Sequence, residues 1–402
     1  MASPIDMTAG ATRSREQSAG CGLYVHVPYC RRKCGYCDFY SVPVHDRPVE
    51  RLVAAISAEL DRRLAECVLP VHTIYIGGGT PTILPVEALG SLLHALRPVV
   101  ATHRPVEFTV EANPGTVDER RAAVLVDAGV TRVSLGAQSF IPAELATLDR
   151  EHAPADLTRS VATLRAAGIR QINLDLIFGI PDQTPASWSA SLKQVLDAGV
   201  EHLACYGLTY EPGTPLTERL ARGEVTRCPE SLEADMYEQA MDFLPAHGFD
   251  QYEISNFARP GSQCRHNLLY WHNEPYLGVG PSAAGCVGRR RYRNVEDVDE
   301  YLTSLEAGRL AEEEVELLDD EMLMHELLLM QLRLTEGLAV EVFRQRTGMD
   351  PLQLLQEPLG RLTTLGLLTV GTTHVALTRA GRLLADRVIL ELVRACPPGV
   401  RH

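Results

Sequence analysis

Three cysteines, Cys30, Cys34 and Cys37, fall within eight residues in the segment Tyr24-Val-His-Val-Pro-Tyr-Cys30-Arg-Arg-Lys-Cys34-Gly-Tyr-Cys37. Thiolates are the usual ligands of cubane irons. Three cysteines on four irons leave one iron open, and an open iron is a site for chemistry. The spacing therefore points to a [4Fe–4S] cluster on these residues. Zinc is the first alternative. It takes a fourth Cys or His nearby, and His26 and His45 are at hand. Three unrelated buried thiols are the second. The other cysteines, Cys21, Cys67, Cys205, Cys228, Cys264, Cys286 and Cys396, are scattered and read as small buried hydrophobes.

A second group of residues recurs just after β-branched runs. It comprises Gly77-Gly78-Gly79-Thr80, Glu111 before Ala-Asn-Pro, Gly136-Ala-Gln138, Arg150 in Leu-Asp-Arg-Glu-His, and Asp175 in Asn173-Leu-Asp-Leu-Ile-Phe-Gly-Ile-Pro. Glycines let backbone approach a ligand, and free amides bind anionic groups. Carboxylates accept from ribose hydroxyls and ammonium, and arginine meets a carboxylate bidentately. Singly, a Gly triplet is a turn and a strand-end carboxylate is a helix cap. Together on one rim they suit a zwitterionic, ribose-bearing ligand.

Such a rim needs a scaffold of strands. The predicted strands are 23–27, 73–76, 107–111, 132–135, 171–176 and 202–208, alternating with amphipathic stretches such as 47–67, 86–96 and 187–198. Asp127-Ala-Gly129-Val, Ala166-Ala-Gly168-Ile and Asp197-Ala-Gly199-Val each place a glycine past a helix and a β-branched residue next, which closes the helix and starts a strand. Alternating strands and helices imply a parallel sheet, open or closed into a barrel. In a β/α barrel, functional groups collect at the C-terminal strand ends.

Beyond Pro229 the rhythm breaks. A helix is predicted over 230–244 and a strand near 252–254, followed by a Gly-, Pro-, Asn- and aromatic-rich segment over 259–293. Residues 312–321 are acidic and read as a solvated linker or helix start. From Met322 to Val393 the pattern is helical, with a hairpin around Gly371, which suggests a winged-helix-like domain. The net charge of −14 over 402 residues argues against a nucleic-acid surface, so that domain is read as a lid or protein contact.

The stretch from Met1 to Gly20 is polar and small and reads as a disordered tail without a signal-peptide core. No run reaches the ~18 apolar residues of a membrane span. The expected location is the cytoplasm, where clustered cysteines suggest metal rather than disulfides.

The CxxxCxxC loop after the first strand resembles that of the radical SAM superfamily. Over most of the chain the sequence resembles the oxygen-independent coproporphyrinogen III oxidase family, which includes the HemW heme chaperones. The resemblance implies a partial (β/α)6 TIM-like barrel with a C-terminal, mostly helical, winged-helix-like domain. It divides the chain into a tail (1–20), the barrel (21–258), a heme-motif and connecting segment (259–311) and the C-terminal domain (312–402). It places S-adenosylmethionine (SAM) on the rim. Tyr24, Gly78, Gly79, Thr80, Glu111, Gln138, Arg150 and Asp175 match the family's SAM-contacting positions. Tyr36 matches an aromatic that meets adenine through its backbone. SAM would chelate the open iron, and one-electron reduction would cleave it to a 5′-deoxyadenosyl radical.

Two departures separate the chain from the oxidase branch. Phe39 stands where the oxidase motif has a fourth cysteine, and only about twenty residues precede the first strand. Arg265-His266-Asn267-Leu-Leu-Tyr270-Trp271 matches the HNxxYW motif that resembles the heme-binding segment of the chaperones. That match names His266, Asn267, Tyr270 and Trp271 as the heme set, with His266 as axial ligand and Cys264 and His272 as rival ligands, whereas the residues taken alone read as an aromatic loop packed on the barrel with His266 bonded to backbone. Arg289, Arg290, Arg291 and Arg293 are offered as partners of heme propionates, against the plain reading of a solvated turn. The expected function is a heme chaperone with cluster, SAM and heme, delivering heme to respiratory hemoproteins, also at the inner face of the membrane. Coproporphyrinogen oxidation and a radical SAM reaction on another substrate such as tRNA stay as alternatives, and homodimerisation stays open.

Overall fold

The computed structural model describes residues 20–45 and 47–396. The expected tail, 1–20, lies outside the described residues save for Gly20. Leu23, Val25 and Val27 are fully buried and make β1 (Cys21–Val27) a core strand. Crossover helices and strands then alternate: α1 (Val49–Glu66), β2 (Val71–Gly78), α2 (Val86–His103), β3 (Glu107–Ala112), α3 (Glu119–Asp127) and β4 (Arg132–Gln138). They continue with α4 (Pro154–Ala167), β5 (Gln171–Phe178), α5 (Pro185–Ala198) and β6 (His202–Gly207). All six strands pair in parallel in chain order. Parallel neighbours require such crossovers. The six expected strands are present with ends moved by a few residues. Gly129, Gly168 and Gly199 take φ of 85°, 108° and 62°, the left-handed conformation that ends each helix without a Cβ clash.

The sheet continues at both edges. After α6 (Glu230–Ala246), β7 (Asp250–Gln251) and β8 (Asn256–Ala258) extend it beside β6. A short helix, α7 (Arg265–Trp271), precedes β9 (Tyr276–Val279), which pairs in parallel with β1. Then β10 (Ala284–Val287), β11 (Arg290–Asn294), α8 (Val298–Glu306) and β12 (Glu312–Leu317) complete an open sheet of twelve strands. The α/β class and the parallel six-strand unit agree with the expectation.

Three local readings are corrected. Helix α2 runs on through Pro98 to His103, because its buried face of Leu89, Leu92, Leu93 and Leu96 continues to Val99. Residues 252–254 link β7 to β8 and make a single antiparallel bridge, Glu253 opposite Leu334, in place of a full strand. Buried Glu253 there accepts from Ser255 N at 3.1 Å and from the Asn256 side chain. The acidic stretch is an edge strand over Glu312–Leu317 and not a linker, while its end, from Asp319 as N-cap through Asp320 and Glu321, is the expected helix start. The strand's glutamates face arginines across the ladder, Arg291 opposite Glu316 and Arg293 opposite Glu314, and opposite charges in register stabilise a strand pair.

The C-terminal part has its own core. Helices α9 (Asp320–Gln331), α10 (Val340–Thr347), α11 (Gln356–Thr364) and α12 (Ala385–Arg394) bury Leu327, Leu328, Phe343, Leu362 and Leu392 together. The hairpin falls where it was expected, as β14 (Leu368–Val370) and β15 (His374–Leu377), with β13 (Leu338–Ala339) beside β15. Ile254 N donates to Arg333 O at 3.1 Å and Thr335 N to Tyr252 O at 3.0 Å, which ties this domain to the barrel beyond β6. Among the described residues no helix is long and apolar enough to cross a membrane.

Candidate functional site

Pleating sends alternate strand residues to opposite sides. Tyr75 of β2, Glu111 of β3, Ser134 and Gly136 of β4 and Asp175 of β5 therefore share one side. They line a cavity of about 410 Å³ at the strand ends, together with Cys30, Cys34 and Cys37. Tyr36, Gly78, Gly79, Thr80, Gln138 and Arg150 complete its wall among the expected residues. Tyr24 does not line it. Its hydroxyl lies 3.1 Å from His26 Nδ1, and its ring packs beside Tyr75 at 6.2 Å.

The glycines are required by contact. A Cβ on Gly77 would lie 2.7 Å from the Glu111 carboxyl, and one on Gly79 would lie 2.6 Å from Tyr29 O. Gln138 holds φ of 63° at the end of β4, a left-handed conformation rare outside glycine. Strain of that kind clusters at ligand sites.

Arg150 joins the cysteines to the rim. Its Nη1 lies 3.3 Å from Cys34 Sγ, and its Nη2 donates to Asn113 Oδ1 at 2.6 Å and Gly136 O at 2.5 Å. Thr80 Oγ1 lies 3.6 Å from Cys30 Sγ and accepts from Asn113 Nδ2 at 2.8 Å. Burial pushes the Cys37 thiol up to about 11 and raises Cys30, and the neighbouring thiols add to both. Thiolates here need nearby positive charge, which a bound metal would supply. Among the described residues no three His, Cys, Asp or Glu side chains converge as ligands of one ion do. His26 faces Tyr24 OH and Tyr40 O and is not among the residues that line the cavity with the three cysteines. Three thiols around shared space, with a guanidinium behind one, fit an iron–sulfur cubane.

The two carboxyls are buried and shifted. Burial raises Glu111 to about 7, against hydrogen bonds from Tyr75 and Gly78 that lower it. Burial raises Asp175 to about 6, opposed by Asn173 and Ser134. Tyr75 OH donates to Glu111 Oε1 at 2.7 Å, and Asn173 Nδ2 donates to Asp175 Oδ1 at 2.8 Å. A cationic group arriving between them would favour both carboxylates.

The HNxxYW segment forms α7, away from this rim. His266 is fully buried beside the start of β2. Its Nδ1 lies 2.8 Å from Thr73 Oγ1, and its Nε2 lies 3.0 Å from Tyr270 OH. Both ring nitrogens are thus engaged with side chains, and burial lowers the ring to about 3. Asn267, Tyr270 and Trp271 are half-buried, and the Trp271 indole N–H is buried without a partner. Cys264 is buried and its sulfur lies 3.4 Å from Glu107 Oε1. The basic run is engaged too: Arg289 pairs with Asp320 at 2.6 Å, Arg290 with Glu312 at 2.5 Å, Arg291 with Glu316 and Glu326, and Arg293 with Glu296.

Tyr75, Ser134, Asn113 and Tyr206 also line the cavity and were not singled out from the sequence. The signal was the two-residue alternation: Tyr75 precedes Gly77 by two and Ser134 precedes Gly136 by two.

Residues 24–195 match the Radical SAM superfamily and residues 318–384 the HemN C-terminal domain. The chain is 38% identical over 376 residues to the heme chaperone HemW of Mycobacterium tuberculosis, covering 92% of this chain and 94% of that one. It is 36% identical over 368 residues to the heme chaperone HemW of Bacillus subtilis, covering 91% and 97%. In structure it resembles the coproporphyrinogen III oxidase HemN of Escherichia coli, with a TM-score of 0.80 over 94% of this chain and 91% of that one. At 22% identity that likeness is one of fold.

Proposed function

The chain belongs to the family of HemW heme chaperones within the radical SAM superfamily, and from that premise we propose that it binds heme together with a [4Fe–4S] cluster and SAM and passes the heme to respiratory hemoproteins. The observation that carries this reading is the HNxxYW segment, gathered on one short helix with His266 and Tyr270 on the same face. Phe39, 67% exposed beside Cys37, supports it against the oxidase reading.

A cluster with one open iron would supply an anchoring metal and an electron to SAM. Cys30, Cys34 and Cys37 would hold it. Arg150 keeps positive charge against Cys34 and can turn toward a carboxylate. Gly78 and Gly79 let the ligand approach the backbone of the loop after β2. Glu111 and Asp175, ionised by the arriving cation, accept from the ammonium and the ribose hydroxyls. Tyr36 offers backbone to adenine from the cysteine loop. In this reading residues 21–258 carry cluster and SAM, 259–311 carry the heme motif, and the helical domain that follows β12 closes over α7 or meets the acceptor. The work takes place in the cytoplasm, at the inner face of the membrane when the acceptor sits there.

Heme ligation by His266 requires Thr73 or Tyr270 to release a ring nitrogen. That makes α7 the segment that must shift when heme binds. The test is transfer. Heme-loaded protein with its cluster should reconstitute a heme-free respiratory acceptor, and the same preparation with SAM and reductant should leave coproporphyrinogen III unchanged. Anaerobic formation of protoporphyrinogen, abolished in the cysteine triple variant, would replace this reading with the oxidase one.

A further inference from the structure

Helix α7 is a plug in the base of the barrel. Its first amides, Arg265 N and His266 N, both donate to Glu107 at 3.0 Å. Glu107 opens β3, the strand that carries Glu111 near its other end. Gly22 of β1 leaves room for the plug, since a Cβ there would lie 3.0 Å from the His266 ring. Outside the barrel, Arg346 of α10 donates to Asn273 O at 2.8 Å, so the C-terminal domain holds the turn that follows α7.

A continuous path joins this plug to the rim. The His266 and Tyr75 rings stack with centroids 5.2 Å apart and planes at 28°. The far end of the Tyr75 ring carries the hydroxyl that donates to Glu111 at 2.7 Å. Glu111 Oε2 in turn accepts from Gly78 N at 3.1 Å. One side chain thus touches the helix at one end and the rim carboxyl at the other. Thr73, which holds His266 Nδ1, lies two residues before Tyr75 on the same face of β2.

We propose that Tyr75 is a positioning residue that ties the seating of α7 to occupancy of the rim, so that a cationic ligand on Glu111 locks the plug and its departure loosens it. This rests on the reading of Glu111 as part of the SAM site. The direction follows from the hydrogen bond. A cation at Glu111 favours the carboxylate, and a hydroxyl donates more strongly to a carboxylate than to a neutral acid. A tighter bond fixes the Tyr75 ring, and a fixed ring keeps its stack on His266. Heme at His266 needs that arrangement to open, so SAM and heme oppose each other across the barrel. Coupling of this kind is reciprocal, and a typical factor is about fivefold or more.

Hydrogen–deuterium exchange on cluster-loaded protein without heme tests it. SAM should slow exchange of amides 265–271 several-fold in wild type. In Tyr75→Phe, which keeps the stack and loses the hydroxyl, SAM should still protect residues 77–80 and leave 265–271 unchanged. Hemin affinity should fall about fivefold with saturating SAM in wild type and not in Tyr75→Phe. Protection at the rim without any effect on 265–271 in wild type would overturn the coupling and leave the SAM site standing. Equal protection of 265–271 in Tyr75→Phe would remove Tyr75 as the link. No protection anywhere would remove the SAM reading and the coupling together.

Discussion

Arg150 aims Nη1 at the sulfur of Cys34, 3.3 Å away. The guanidinium is buried among groups that it bridges, and Cys34 is the middle cysteine of the loop. Positive charge beside a cluster thiolate favours the more negative, reduced state, and charge and hydrogen bonds at sulfur set cluster potentials. Arg150→Met should therefore retain about four irons per chain, as a cubane requires, and shift the reduction midpoint to a more negative value. Potentiometric titration followed by electron paramagnetic resonance checks it. An unchanged or more positive midpoint would show that Arg150 does not act on the cluster.

Glu111 titrates as a buried acid, with a pKa near 7 in place of 4.5. Its folded value lies above its unfolded value, so the folded protein binds the extra proton. The stability from this group is fully present below pH ~4.5 and is lost as pH rises through about 7. Glu111→Gln should remove that dependence, a difference on the order of 3 kcal/mol across the window. Urea denaturation of the metal-free protein at pH 5 and pH 8 should show a smaller pH effect in the variant than in wild type. Identical pH effects would mean that Glu111 is not held as a neutral acid.

Arg63 and Glu59 pair at 2.9 Å inside the core, with side-chain exposures of 3% and 0%. Glu59 also accepts from Gly280 N at 2.9 Å, Asn294 Nδ2 at 2.8 Å and Tyr301 OH at 2.7 Å. This network fastens α1 to the β9–β11 extension and α8. Arg63→Leu leaves a buried carboxylate without its cation and should cost about 3–5 kcal/mol. The denaturant midpoint reports the loss. A shift near zero would show that Glu59 is adequately held by its other donors.

The arginines of β11 pair with acids: Arg290 with Glu312, Arg291 with Glu316 and Glu326, and Arg293 with Glu296. Arg290→Ala and Arg293→Ala together should lower thermal stability slightly, since exposed pairs are each worth at most about 1 kcal/mol. Hemin affinity should stay unchanged. A tenfold loss of hemin affinity in a folded double variant would restore these arginines to the heme site.

Much of this was legible in the sequence because it is local. The strand and helix rhythm, the three helix-ending glycines and the CxxxCxxC loop each depend on neighbours within a few residues. The rim was legible for another reason: its residues are far apart in sequence, but β/α order fixes which strand ends share an edge. What escaped depends on partners far along the chain. Glu312–Leu317 is acidic and exposed, and reads as a linker until Arg290–Asn294 is laid beside it as a strand partner. Helix α2 reads as ending before Pro98 until its buried face is followed to Val99. Tyr75 looked like an ordinary strand aromatic, because neither Glu111 nor His266 is near it in sequence. The heme motif was visible as letters, but not the fact that His266 is closed by Thr73 and Tyr270.

Hemin titration of the cluster-loaded protein, followed by the Soret band, tests the chaperone account most directly. Wild type should bind one hemin per chain. His266→Ala should lower affinity at least tenfold, and a Cys264, His266, His272 triple variant should lose the band, with circular dichroism confirming that both remain folded. A triple variant that binds hemin with unchanged spectrum and affinity would place the heme elsewhere and contradict the role assigned to α7.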